Sequence, residues 1–195
     1  MNFTAFYPVI LLLFLLGFGT AASAQFQFEK GYVVTTKGDT LRGKIKYGRR
    51  YELSLRCFFT KDGDDEPTKY KPFEIRSYFV KGETFDSKIY DYDPTGPVGE
   101  GAFMQRINEG ACKIYYYWNS DKDVGFTQTF IEKSGVPLTE VHFFHFRKQM
   151  SAFFKDFDQL SAKIEMGEYR GSQLEEVVKE YNTYKQRLQE AEAQP

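Results

Sequence analysis

The sequence has few of the residues from which most catalytic and metal sites are built. It contains two histidines and two cysteines among 195 residues. The histidines are His142 and His145, and the chain has neither an H-E-x-x-H nor a G-x-S-x-G motif. A zinc site needs at least three protein ligands, and a Ser-His-Asp triad needs a histidine beside its nucleophile. We therefore predict no metal site, no cofactor and no catalytic residue, which favours a non-catalytic protein over an enzyme.

A surplus of one charge is also missing. The chain carries 26 Lys and Arg against 27 Asp and Glu, a formal net charge of -1 at pH 7. Binding to the phosphate backbone of nucleic acid depends on a concentrated positive surface, and no basic face of this kind stands out in the sequence. We expect no nucleic acid partner.

Long apolar runs are absent after the first twenty or so residues. The run from Val9 to Leu16 is too short to span a bilayer comfortably, and Ala22-Ser23-Ala24 behind it matches an A-x-A cleavage site. We predict that residues 1–24 are a secretory signal peptide cut before Gln25, although no Lys or Arg precedes the run; an uncleaved anchor is the alternative. The chain is then exported, and its expected location is the periplasm, the outer-membrane surface or the cell exterior.

The two cysteines, Cys57 and Cys112, would meet an oxidising compartment. Each occupies one of the alternate positions that carry apolar residues in a predicted strand, so both could face one core. If they pair, the closed loop would contribute about 4 kcal/mol to stability. Two buried free thiols that pack as small apolar side chains are the alternative, and the sequence leaves both open.

Aromatic residues are abundant, with 14 Tyr and 20 Phe beside a single Trp. Rings favour strands, and the stretch GYVVTTKGDTLRGKIKY alternates around Gly38-Asp39 as a β-hairpin does. The same alternation predicts strands at about 31–36, 40–47, 52–60, 74–81, 84–92, 102–107, 111–118 and 124–132. We predict an α+β protein in which residues 25–137 form an antiparallel β domain, as a sheet, a sandwich or a partly open barrel, with no helix between its strands.

Apolar spacing changes at about residue 138 from every second position to every third and fourth. The spacing predicts one helical face made of Phe143, Phe146, Met150, Phe153, Phe157, Leu160 and Ile164. A capping box at Asp156 and Gln159 would split this run into two helices, which is the alternative. After the break at 167–171, a Ser172–Glu175 capping box opens a further helix. Residues 138–195 are thus predicted to be a helical hairpin docked on the sheet, with Phe144 and Phe154 helping to cover it and a frayed tail.

One strand offers a candidate ligand surface. Within Tyr115-Tyr116-Tyr117-Trp118, the pleat places Tyr116 and Trp118 on the face of Cys112 and Ile114, which we expect to be core. Tyr115 and Tyr117 then point to the other face, where exposed rings would stack against sugars or a partner protein. The alternative is that the helical hairpin covers this face.

Carboxylates supply the remaining candidates. The segments that begin at Asp62 and at Asn119 each resemble the start of a calcium loop, but both lack the glycine and the glutamate that an EF-hand requires. Asp86, Asp91 and Asp93 leave a small hydrolase of cell-envelope polymers as an alternative function. The Gly/Pro-rich loop at 93–101 is a surface loop and no phosphate-binding loop, because Pro97 removes an amide donor.

The order of features resembles a group of secreted proteins of unknown function common in Bacteroidetes-type bacteria. The residues that carry the resemblance are the opening Gly31–Tyr47, the central Lys113–Tyr117 and the terminal Val178–Asn182, a V-x-E-Y-N motif. The resemblance implies no activity, cofactor or catalytic residue. The sequence therefore favours an exported binding or envelope-associated module acting through protein or glycan contacts, and a structural or assembly role is a further alternative.

Overall fold

The computed structural model describes residues 27–90, 101–119 and 127–193. The strands are β1 Gln27–Thr35, β2 Thr40–Tyr47, β3 Cys57–Lys61, β4 Thr68–Tyr70, β5 Ile75–Val80, β6 Glu83–Lys88, β7 Ala102–Arg106, β8 Cys112–Trp118, β9 Thr127–Lys133 and β10 Val136–Glu140. The helices are α1 Arg50–Leu55, α2 Phe146–Phe153, α3 Asp158–Met166 and α4 Leu174–Glu192, with short 3₁₀ turns at Phe143–His145 and Gly171–Gln173. Of the helices in these ranges, none is both long and apolar enough to cross a membrane.

The strands form one antiparallel sheet of ten, in the order β10-β9-β8-β7-β6-β5-β1-β2-β3-β4. Consecutive strands are neighbours throughout, except that β5 returns to pair with β1 rather than with β4. The predicted α+β class, with an antiparallel β part followed by helices, is confirmed. The predicted signal peptide at residues 1–24 lies outside the described residues.

The opening hairpin forms as predicted. Val34 pairs with Thr40 across a turn in which Gly38 adopts a φ of 98°, a conformation that strongly favours glycine. Further along the hairpin, Gly31 stands opposite Gly43. A Cβ on Gly31 would lie 2.3 Å from the Phe79 carbonyl oxygen, so this position has no room for a side chain.

The predicted strand at 52–60 is wrong in its first half. Residues Arg50–Leu55 form α1, and the strand begins only at Cys57. Leu53 is buried whereas Leu55 is exposed, so the alternation of these two leucines did not mark a sheet face. Long-range contacts stabilise the helix, because the Tyr78 hydroxyl donates a 2.6 Å hydrogen bond to the Leu53 carbonyl. The expectation of no helix among the strands is therefore also wrong.

The change to helix occurs later than predicted. Residues 138–140 belong to β10, and helical structure starts at Phe143. The long apolar run is split into α2 and α3, as the alternative held, but the residue before α3 is Phe157 and no side chain caps it. The Ser172–Glu175 capping box is likewise absent, since the Arg170 N–H donates to Gln173 Oε1 at 3.1 Å instead.

Helices α3 and α4 pack against each other as an antiparallel pair. The Phe157 ring stacks on Tyr184 with centroids 3.9 Å apart, while Lys163 pairs with Glu180 at 2.7 Å. Gly167, with a φ of 83°, ends α3. The predicted break between the last two helices is thus correct.

Buried side chains form three clusters in the described residues. The first lies on β1–β3 and β5–β7 with Leu53 of α1: Val33, Ile45, Leu53, Cys57, Phe59, Ile75, Tyr78, Val80, Phe85 and Phe103. The second joins β8 and β9 to α2–α4: Cys112, Ile114, Ile131, Val141, Phe146, Met150, Phe153, Phe154, Leu160, Ile164, Leu174, Val177, Val178 and Tyr181. The third comprises Ala102, Met104, Tyr115, Tyr117 and Phe130. Cys112 and Ile114 of β8 belong to the second cluster and Tyr115 and Tyr117 to the third, so this strand has buried side chains on each face, while Tyr116 and Trp118 stay half-buried.

The cysteines lie in different clusters and are free thiols. Cys57 belongs to the first cluster and Cys112 to the second, which corrects the expectation that both face one core. Burial raises the pKa of both thiols, that of Cys112 to about 12. Both are packed as small apolar side chains, the second of the two alternatives.

Candidate functional site

Tyr115 and Tyr117, the predicted ligand-binding pair, are buried, with 0% and 7% of their surface exposed. They do point away from Cys112 and Ile114, as the pleat requires. That face is covered, however, because the Lys88 ammonium lies 4.4 Å from the centre of the Tyr115 ring and Tyr90 packs edge-on against Tyr117. An exposed platform of these two rings is therefore excluded.

A polar network holds the Tyr115 hydroxyl. It lies 3.2 Å from carboxylate oxygens of both Asp86 and Glu132, and Lys88 pairs with Glu132 at 2.6 Å. Arg106 approaches Asp86 at 3.1 Å. Burial and the two carboxylates raise the pKa of Tyr115 well above its usual range, so the phenol stays protonated and acts as a donor.

The accessible rings of β8 are Tyr116 and Trp118. Both are half-buried, and their centroids lie 6.3 Å apart with the ring planes nearly perpendicular. The Tyr116 hydroxyl donates to Glu175 Oε1 of α4 at 3.2 Å, and the Arg50 guanidinium of α1 lies 5.3 Å from the centre of the Trp118 ring. Partial burial, together with Glu175, raises the pKa of Tyr116. The two rings thus lie between α1 and α4.

A groove of about 890 Å³ lies beside these rings, between α4 and the turn that joins β7 to β8. Its floor is apolar, and its walls carry amide, hydroxyl and charged groups. The residues that line it are Ile107, Asn108, Glu109, Gly110, Ala111, Ile114, Glu175, Glu176, Val178, Lys179, Asn182, Thr183, Lys185, Gln186 and Gln189. Tyr116 and Trp118 do not line the groove, but they follow Ile114 along the same face of β8, over about 13 Å.

Asn182 fixes the wall of the groove to α4. Its Oδ1 accepts a 2.7 Å hydrogen bond from the Cys112 N–H, and its Nδ2 donates to the Cys112 carbonyl at 2.8 Å and to the Glu109 carbonyl at 3.3 Å. Gly110, with a φ of 129°, allows the approach, because a Cβ there would lie 2.6 Å from the Asn182 amide. The asparagine of the V-x-E-Y-N motif therefore has a structural role.

An ionic cluster fixes α4 to the sheet beneath the groove. Lys133 of β9 is 8% exposed, pairs with Asp156 and lies 5.1 Å from the centre of the Tyr181 ring. Tyr181 and Lys185 of α4 reach the other Asp156 oxygen at 2.7 and 2.8 Å. Burial opposes ionisation of Asp156, but hydrogen bonds from these groups outweigh it and hold the pKa of that carboxyl well below its usual range.

The other predicted chemical groups do not come together. His142 and His145 are exposed, and no group of His, Cys, Asp and Glu within the described ranges could hold a metal ion. Asp86 is paired with Arg106, while Asp91, Asp93 and nearly all of the 93–101 loop lie outside the described residues. The acidic turn from Asp62 to Glu66 is solvent-exposed.

Comparison with known proteins adds no relative. The chain matches no protein-family model, no curated protein and no solved structure. The groove was missed because its walls are distant in the sequence, and no local pattern joins Gly110 to Asn182. The alternation along β8 correctly placed Ile114, Tyr116 and Trp118 on one face. It could not show that the helices leave the Tyr116 and Trp118 rings partly exposed.

Proposed function

We propose that this protein is an exported, non-catalytic binding module of the cell envelope that holds a glycan chain along the floor of the α4 groove. Export rests on the predicted signal peptide at residues 1–24, with its short apolar run and A-x-A cleavage site. The choice of a glycan rests on the side chains that surround the groove.

The carrying observation is the pair of half-buried rings, Tyr116 and Trp118, that lies beside the groove between Arg50 and Glu175. A sugar ring presents an apolar C–H face and a rim of hydroxyls. Aromatic rings with a polar edge match that face, while carboxylate, guanidinium and amide groups match the hydroxyls.

Binding rather than catalysis is favoured by how the carboxylates of the groove are engaged. Glu175 accepts a 3.2 Å hydrogen bond from the Tyr116 hydroxyl, and Glu109 forms an ion pair with Arg106 at 2.7 Å. A glycoside hydrolase needs two carboxyl groups placed on either side of the scissile bond, one of them as an acid. Glu175 and Glu109 instead hold neighbouring side chains in place.

The single tryptophan of the chain is a built-in reporter of this site. Soluble peptidoglycan fragments and chito-oligosaccharides would be titrated into the exported protein while Trp118 fluorescence is recorded. We expect a saturable change in emission, and we expect Tyr116→Ala to weaken binding about tenfold by removing one stacking surface. Tyr32→Ala is the matched control, because Tyr32 is also a half-buried strand tyrosine that stacks on a phenylalanine, Phe79, but lies far from β8 in the sheet order.

Two results would count against the proposal. Emission that does not change with any glycan tested, in a protein shown to be folded by circular dichroism, contradicts a glycan site at Trp118. Saturable binding of peptides of mixed composition, lost in Tyr116→Ala while the glycans fail, would replace the glycan by a protein segment.

A further inference from the structure

The segment before α2 combines exposed aromatic rings with positive charge. Phe144 is fully exposed, with a relative accessibility of 101%, and Phe143 is 51% exposed. The prediction that Phe144 helps to cover the sheet is therefore wrong. From Val141 to Lys155 the sequence contains no Asp or Glu. Single exposed apolar side chains are common, but two adjacent exposed rings beside a cluster of cations form a patch of the kind that marks an interaction site.

The rings border a shallow pocket of about 400 Å³ with cationic walls. Its lining residues are Phe143, Phe144, His145, Phe146, Arg147, Lys148, Tyr169, Arg170 and Gly171, a set with no acidic member. Arg147, Lys148 and Arg170 come from two segments of the chain and are all exposed. We call Phe143, Phe144, Arg147, Lys148 and Arg170 the basic aromatic patch.

The backbone around the patch is well packed. Phe143 lies against Gly171, where an added Cβ would be 2.7 Å from the ring. Arg147 lies over Gly167, where a Cβ would be 2.5 Å from the guanidinium carbon. Phe144 therefore extends from a supported turn, and the cations around it are held at the same end of the helical layer.

The positive charge of the basic aromatic patch favours an anionic lipid surface over a second copy of this chain as its binding partner. A second copy of this chain, docked patch to patch across a two-fold axis, would bring the two sets of cations together. An anionic bilayer surface instead attracts each cation, with a gain of roughly fivefold in affinity per basic residue, and accepts the exposed ring among its acyl chains. Glu168, also exposed, is the nearest acidic residue in the sequence to Arg170 and does not line the pocket.

We propose that the basic aromatic patch docks this protein peripherally on an anionic lipid surface. Phe144 enters the boundary between headgroups and acyl chains, and Arg147, Lys148 and Arg170 bind the headgroup phosphates. This inference is independent of the glycan proposal, because it uses different residues.

The test is co-sedimentation of the exported full chain with vesicles of phosphatidylcholine that contain or lack phosphatidylglycerol. We expect binding only with phosphatidylglycerol, weakened by added salt. Phe144→Ser should reduce the affinity about tenfold, and the double variant Arg147→Gln/Lys148→Gln should reduce it about twentyfold or more. Ile89→Ser and Lys69→Gln are matched controls, since Ile89 is 75% exposed and Lys69 is also exposed, and neither lies in the patch.

A second measurement reports on residue 144 itself, independently of the N-terminal apolar segment. In Phe144→Trp, spin-labelled acyl chains should quench the added tryptophan beyond the quenching of Trp118 seen in the unmodified chain. No extra quenching, or equal vesicle binding by Phe144→Ser and the parent, overturns the proposal. It is also overturned if inorganic phosphate is bound while vesicles are not, or if Phe144→Ser dissociates a lipid-free dimer that has no affinity for vesicles.

Discussion

Asn182→Ala should lower the free energy of unfolding, because the Asn182 amide pairs with backbone groups of β8 and of the turn before it. In Asn182→Ala, the Cys112 N–H loses its 2.7 Å acceptor. The Cys112 and Glu109 carbonyls lose one donor each but keep Asn108 Nδ2 at 2.9 and 3.0 Å. Cys112 is fully buried, so its N–H is left unpaired unless water enters from the groove. A buried polar group without a partner costs about 1–3 kcal/mol, and we expect a loss in this range.

Urea unfolding followed by Trp118 fluorescence and by circular dichroism measures this loss. A fall in the midpoint at an unchanged slope reports a change in stability alone. Thr183→Ala is the control on the neighbouring residue, because the Thr183 hydroxyl bonds only to the Lys179 carbonyl of its own helix among the contacts described. It should change the free energy of unfolding by less than about 0.5 kcal/mol. If Asn182→Ala also stays within about 0.5 kcal/mol of the parent, then α4 is not anchored to the β7–β8 turn as described.

Two further predictions concern the Asp156 ion pairs and the buried cysteines. Because hydrogen bonds from Lys133, Lys185 and Tyr181 depress the pKa of Asp156, its contribution to stability is complete above the unfolded value of about 4 and is lost as the pH falls below it. Asp156 is 39% exposed and water screens its ion pairs, so Asp156→Asn should lose only about 0.5–1 kcal/mol at pH 7 and flatten the acid-unfolding curve below pH ~4. A parallel shift of the curve at every pH would contradict the ion pair. Cys57 and Cys112 are buried free thiols. A thiol reagent should therefore label neither cysteine in the native protein and both after denaturation without reductant. If neither is labelled after denaturation, the two cysteines form a disulfide.

Local patterns predicted the structure where local forces determine it. The alternation around Gly38-Asp39 gives the hairpin its register, and the three-four spacing of Phe146, Met150 and Phe153 gives α2 its buried face. The same rules failed at α1, where Leu53 and Leu55 alternate by chance. That helix is held by contacts from distant residues, among them the hydrogen bond from the Tyr78 hydroxyl to the Leu53 carbonyl, and no local sequence pattern contains them.

The candidate site, too, could be predicted from the sequence only in part. The pleat correctly assigns Tyr115 and Tyr116 to opposite faces of β8, but it does not reveal which face the rest of the chain covers. Lys88 and Tyr90 bury one face, and α4 leaves the rings on the other partly open. The anchors of the groove, Asn182 and Asp156, pair with residues far away in the sequence. The sequence marked Asp156 as a helix cap and Asn182 as part of the V-x-E-Y-N motif, but it did not show which residues they contact.

The most direct test of the account is the nitration of tyrosines in the native protein, mapped by mass spectrometry. The central claim is that the accessible rings of β8 are Tyr116 and Trp118, while Tyr115 and Tyr117, at 0% and 7% exposure, are closed off. We predict modification at Tyr116 and protection of both Tyr115 and Tyr117 until the protein is unfolded. Modification of Tyr115 or Tyr117 before Tyr116 in the folded protein would contradict it.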